Sequence, residues 1–148
     1  MTCTFFGHRD TPSDVLPYIE EILSFLIENE NVETFYVGNN GNFDRYVIKA
    51  LRKIKEKYPE ITYSIVLAYM PTSKNEYDST ETVYPEELAF VPKKFAISKR
   101  NDWMINKSDY VVTYIKYGFG GAKQFADKAR RKNKTVIDIF DFMNSQND

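Results

Sequence analysis

The chain has one cysteine, one histidine and one tryptophan in 148 residues. The lone Cys3 excludes an internal disulfide and every multi-cysteine metal site, and the lone His8 excludes a histidine-rich metal centre. Cys3 stands beside Thr4, Phe5 and Phe6, where a buried inert thiol in a strand is the expected role. Charge of one sign is also missing: 20 basic against 21 acidic residues leave a net charge of −1, so composition demands neither a nucleic-acid nor an anionic-membrane partner. No apolar run approaches roughly 18 residues and no basic-then-apolar leader is seen, so a cytoplasmic location is expected. Repeats and low-complexity segments are absent from the sequence.

What is present is ordinary for a globular protein, with 43% hydrophobic and 28% charged residues. A single domain over 1–143 is expected, followed by a polar, frayed tail over 144–148. The most informative stretch runs from Tyr110 to Arg130. The β-branched and aromatic run Val111 to Ile115 reads as a strand. It is followed by Gly118, Gly120 and Gly121, and then by Ala122, Phe125, Ala126 and Ala129 on one helical face. Amides at such a turn are unpaired and lie at the positive end of the helix dipole, which suits an anion such as phosphate.

Two earlier segments have similar designs. Thr2 to Phe6 reads as a first strand ending in Gly7, His8, Arg9 and Asp10, with Arg9 as an anion ligand and His8 as a hydrogen-bonding group at the crevice. Ser13 or Asp14 is expected to cap a first helix carrying Val15, Ile19, Ile22 and Leu26. Glu33 to Val37 reads as a second strand, running through Gly38, Asn39, Asn40 and Gly41 into a helix with Asp44 in its first turn. Thr62 to Tyr69 reads as a third strand, and the polar stretch from Met70 to Pro92 as a partial lid offering Tyr69, Tyr77, Asp78 and Tyr84, with an oligomer contact as the competing reading. Lys93 to Asn106 reads as a helix bearing Arg100, and Thr135 to Phe140 as a fifth strand. Alternating strands and helices predict a Rossmann-like α/β fold, three layers with a mainly parallel sheet of about five strands.

These residues resemble the SLOG superfamily, whose Rossmann-like members include the LOG (lysine-decarboxylase-like) phosphoribohydrolases and the DprA-like proteins, and within it the YpsA-like branch. Gly7-His8-Arg9 is similar to that branch's first-strand turn, and Gly38 to Asp44 to its second glycine loop. Arg100, Asp109 and Gly118-Phe119-Gly120-Gly121-Ala122-Lys123-Gln124 stand where the LOG enzymes carry an arginine, an aspartate and a Pro-Gly-Gly-x-Gly-Thr-x-x-Glu motif. The proline is absent, Gly121 replaces the threonine and Gln124 occupies the glutamate position.

The resemblance implies a ligand site made of Gly7, His8, Arg9, Gly38, Asn39, Asn40, Gly41, Asp44, Arg100, Gly118, Gly120, Gly121, Ala122 and Gln124. The implied ligand is a nucleotide or nucleotide-derived molecule, such as an ADP-ribose-like or cyclic nucleotide signal, sensed or sequestered in bacterial or phage conflict. It also implies a homodimer or higher homo-oligomer; neither a cofactor nor a metal is expected. Binding is favoured over turnover, because glutamine cannot accept a proton or stabilise an oxocarbenium ion. The alternative is a nucleoside 5'-monophosphate phosphoribohydrolase using Arg100 and Asp44, with Asp78 or Glu81 as further replacements for the glutamate. A purely structural or regulatory protein with an empty crevice is the third class.

Overall fold

A computed structural model describes residues 1–70 and 77–146. It is an α/β fold built on a parallel sheet. The strands are β1 (Thr2–Gly7), β2 (Thr34–Val37), β3 (Thr62–Val66), β4 (Thr82–Val83), β5 (Tyr110–Tyr114) and β6 (Thr135–Asp138). Their order in the sheet is β4-β3-β2-β1-β5-β6, and every pairing is parallel. The chain therefore builds outward from β1 in one direction and then returns to build outward from β5 in the other. The order reverses between β1 and β5, the place where open α/β sheets leave a crevice.

Among the described residues five α-helices cover the sheet: α1 (Leu16–Asn29), α2 (Asn42–Lys57), α3 (Ala96–Lys107), α4 (Gly121–Arg131) and α5 (Ile139–Gln146). Residues of α1, α2 and α5, such as Leu23, Leu51 and Ile139, join one core with Phe5, Phe35 and Val112. Residues of α3 and α4, such as Met104 and Ala129, join a second with Phe6 and Val111. The adjacent pairs Phe5/Phe6 and Val111/Val112 feed opposite cores because successive strand residues point to opposite faces.

Several details depart from the expected elements. The sixth strand, β4, is a two-residue edge piece inside the stretch read as a lid. β3 stops at Val66, and the fifth expected strand turns at Ile139 into α5, which takes in Asn144 to Gln146 of the expected tail. Neither Ser13 nor Asp14 caps α1: Ser13–Val15 form a 3-10 turn, and the first turn of α1 accepts Pro17, whose missing N–H has no helical partner to lose. No helix among the described residues is long and apolar enough to cross a membrane.

Candidate functional site

Loops after β1, β2 and β5 meet at the carboxyl end of the sheet, and all six glycines of the chain lie at or within them. Asn42 N–H donates to the Arg9 carbonyl at 2.9 Å, joining the first loop to the head of α2. On the other side, His8 Nε2 accepts from the N–H groups of Lys116 (3.0 Å) and Tyr117 (3.2 Å). Both donors are amides, so Nε2 must be the bare nitrogen and the ring proton sits on Nδ1. Burial lowers the His8 pKa, opposed by the nearby charges of Asp10 and Asp138, and this favours the neutral ring that the two bonds require.

A cleft of ≈ 420 Å³ opens between the heads of α3 and α4 over the end of β1. Gly7, His8 and Arg9 border it from β1, while Asn40 and Asp44 border it from the β2 loop and α2. The α3 side supplies Lys94, Ile97, Ser98, Arg100, Asn101 and Met104, and α4 supplies Gly121, Ala122 and Phe125. The ionised groups in this lining are the cations Arg9, Lys94 and Arg100 against the single carboxylate Asp44. A larger groove of ≈ 560 Å³ runs along α2 past Arg45, Lys49 and Tyr77, but lies away from the point where the strand order reverses.

Arg100 is 1% exposed and holds this end of the molecule together. Its Nε donates to Asn101 Oδ1 (2.9 Å), Nη1 to the Val66 carbonyl (2.9 Å) and Asn39 Oδ1 (3.1 Å), and Nη2 to Asn40 Oδ1 (2.7 Å). Those bonds use four of the five guanidinium N–H donors, leaving one on Nη2. Arg9 differs: it is exposed, and its side chain makes no hydrogen bond or ion pair among the described residues. Half-buried Asp44 accepts from Asn40 N–H at 2.9 Å. Burial raises its pKa to about 6, against the opposing pull of that N–H, Arg100 and Arg9.

The glycines fall into two groups. A Cβ on Gly7 would overlap the Phe43 ring, one on Gly38 would lie 3.0 Å from Arg100 Cζ, and one on Gly41 would lie 2.6 Å from Arg9 Cα. These three admit neighbouring parts of the protein itself. Gly118, Gly120 and Gly121 face open space: among the described residues, apart from chain neighbours and the helix's own backbone, nothing lies within 4 Å of an added Cβ. Among the described residues no side chain caps α4, and no carboxylate stands in its first turn, so the positive end of this helix opens outward.

The structure thus brings Gly7, His8, Arg9, Asn40, Asp44, Arg100, Gly121 and Ala122 of the expected residues into one lining. Gly38, Asn39, Gly41, Gly118 and Gly120 shape the surrounding loops without bordering the cleft. Gln124 is exposed on α4 and outside the lining. Its helical phase gives the signal, since Ala122, Phe125, Ala126 and Ala129 turn inward and position 124 falls away from them. Lys94, Ser98 and Asn101 were not anticipated, although their spacing of three or four residues places them along one side of a helix with Met104.

The segment expected to form a lid is described only in part. Residues 71–76 lie outside the described residues, Thr82–Val83 pair with β3 at the sheet edge, and none of residues 77–92 borders the cleft. Tyr77 and Tyr84 pack against the core, and Asp78 accepts from Thr80 N–H to cap a 3-10 turn. The hydroxyl of Tyr69 is 3.4 Å from the Lys93 carbonyl. Glu81 accepts from Arg52 at 2.8 and 2.9 Å and from Tyr63 at 2.6 Å, and the Arg52 bonds hold its carboxyl near 2. Neither Asp78 nor Glu81 borders the cleft. Among the described residues no group of three or more histidine, cysteine or carboxylate side chains could hold a metal ion. No protein-family model matches the chain, and no curated protein matches it.

Proposed function

We propose that this protein binds a nucleotide or nucleotide-derived ligand, with a phosphate seated at the head of α4. The observation that carries this reading is the convergence of an uncapped helix N-terminus with Arg9, Lys94 and Arg100 around one cleft. Backbone amides and the helix dipole favour an anion there, and an exposed unpaired Arg9 supplies a planar fork for it. The cleft volume lies within the usual range for small-molecule sites. In keeping with the SLOG resemblance, the ligand in this proposal is an ADP-ribose-like or cyclic nucleotide signal that a cytoplasmic homo-oligomer senses or sequesters. Calorimetry with AMP and adenosine tests the phosphate seat. AMP should bind measurably more tightly, Arg9→Ala and Lys94→Ala should each weaken AMP alone, and equal affinities for the two compounds would remove the phosphate from the account.

Asp44 supports a second reading, cleavage of the N-glycosidic bond of a nucleoside monophosphate. A cleft carboxyl with a pKa of about 6 can give or take a proton near neutral pH. Chromatography of AMP incubated with the protein distinguishes the readings: intact AMP supports binding, whereas adenine release abolished by Asp44→Asn supports turnover. Because Gln124 is outside the cleft, Gln124→Glu should leave either result unchanged.

A further inference from the structure

Three aromatic rings form a column beside the open glycine loop. The His8 and Tyr117 rings are 4.6 Å apart, tilted by 46°. Tyr117 in turn stacks on Phe119 at 5.6 Å and 25°. The lower end is fixed, because His8 is buried and accepts the Lys116 and Tyr117 amides. The upper end is not covered: Phe119 is 73% exposed, with Gly118 and Gly120 on either side leaving open space around it. One face of the Phe119 ring therefore has an aromatic partner and the other faces solvent. Exposure alone does not set Phe119 apart, since Phe90 is more exposed still, but Phe119 ends an ordered aromatic column, and that placement asks for a reason.

The position of the ring supplies the reason. Phe119 precedes Gly121, which borders the cleft, by two residues, so their Cα atoms are at most about 7 Å apart. We propose that Phe119 is the stacking platform for the purine base of the bound nucleotide, with its phosphate at the head of α4. The proposal rests on the phosphate reading above and adds to it the part of the ligand that the cations and amides cannot recognise. A flat heteroaromatic base fits a fixed ring with one free face. Stacking also tolerates different bases, so the platform sets a preference for nucleotides over other phosphate esters rather than for one base.

The test uses 2-aminopurine riboside 5'-monophosphate, whose fluorescence is quenched on stacking, together with ribose 5-phosphate, which has the phosphate and sugar but no base. Binding to the full chain should quench the fluorophore, and the base-bearing probe should bind about tenfold more tightly than ribose 5-phosphate. Phe119→Ala should erase both the quenching and that preference, Phe119→Tyr should keep both, and ribose 5-phosphate should bind all three proteins alike. Unchanged quenching and affinity in Phe119→Ala, or an equal loss for both probes, would overturn the platform while leaving the phosphate seat standing. If neither probe binds the unmodified protein, the phosphate reading fails and the platform fails with it.

Discussion

The heads of α2 and α4 have nearly the same backbone and opposite surroundings. Gly41 (φ 93°, ψ −178°) precedes α2 and Gly120 (φ 99°, ψ 174°) precedes α4, both in a region open essentially to glycine alone. At α2 the protein fills its own anion seat: Asp44 stands in the first turn, Asn42 N–H meets the Arg9 carbonyl, and Arg9 packs against Gly41. At α4 the corresponding space is empty. A strand, a glycine turn and a helix make an anion site only when the rest of the molecule leaves it vacant, and the first loop's residues decide which of the two is vacant.

Arg100 offers the most forceful way to break this contrast, because it ties the α2 side together. Replacing it with methionine leaves the Val66 carbonyl and the Asn39 and Asn40 oxygens without their donor and removes one of the two positive charges, Arg100 and Arg9, that act on Asp44. Urea unfolding of Arg100→Met should show a loss of about 3–5 kcal/mol. A loss under about 1 kcal/mol would mean that water satisfies those acceptors and that the α2 head is no more locked than the α4 head. Phe119→Ala, at the open head, should change stability by less than about 0.5 kcal/mol.

Three alanine substitutions then separate backbone strain from crowding. Gly41→Ala meets both an unfavourable φ and the Arg9 backbone, Gly120→Ala meets the unfavourable φ alone, and Gly121→Ala meets neither. Thermal unfolding should rank them in that order: roughly 3 kcal/mol or more, about 1–3 kcal/mol, and little beyond the ordinary scatter of surface changes. Because Gly41 and Gly120 share their dihedrals, the difference between them measures the crowding at α2. Equal effects at 41 and 120 would show that the first loop yields easily to a new side chain.

This distinction is what the sequence could not reveal. The fold was legible because strand-like runs such as Thr2 to Phe6 and Val111 to Ile115 alternate with helical patterns, and the three loops were legible because glycines mark them. Whether a glycine admits a ligand or a neighbouring side chain depends on Phe43, Arg9 and Arg100, which arrive from other elements. Local pattern also missed β4, whose two residues have no periodicity to read, and α5, which begins directly after β6 without an intervening loop. Arg100 was legible as a site residue on its helix, but not as a buried clamp whose bonds reach Asn39, Asn40 and Val66.

Asp44 gives a smaller effect with a defined sign. Its folded pKa of about 6 lies above the ordinary value of 3.8, so the unfolded chain loses this proton first as pH rises. Stability should therefore fall between about pH 4 and 6, and Asp44→Asn should flatten that part of the profile. The same change should strengthen AMP binding at pH 7 by removing the one negative charge from the cleft lining. An unaltered stability profile with unaltered affinity would place the Asp44 carboxylate in contact with solvent rather than with the site.

The least disruptive test concerns the α4 side alone. There the loop is held to β1 through a bare His8 Nε2, and a protonated ring would turn that acceptor into a donor facing two N–H donors. The folded pKa is lowered by burial, so the unfolded chain takes the proton first as pH falls, and the bonds lose their contribution as pH drops below 6.5 towards the folded value. Asp10 and Asp138 ease protonation without reversing that sign. Since the loop tip from Lys116 to Gly120 is exposed, it should open locally before the domain unfolds. Hydrogen exchange should show protection of the Lys116 and Tyr117 amides falling between pH 7.5 and 5, after correction for the intrinsic rate, while Asn42, bonded to a carbonyl, keeps its protection. His8→Phe should lower the first two protections at every pH and remove their pH dependence. A pH-independent loop in the unmodified protein would mean that the two amides find another acceptor when His8 is charged, and that the open head is fixed by something other than this ring.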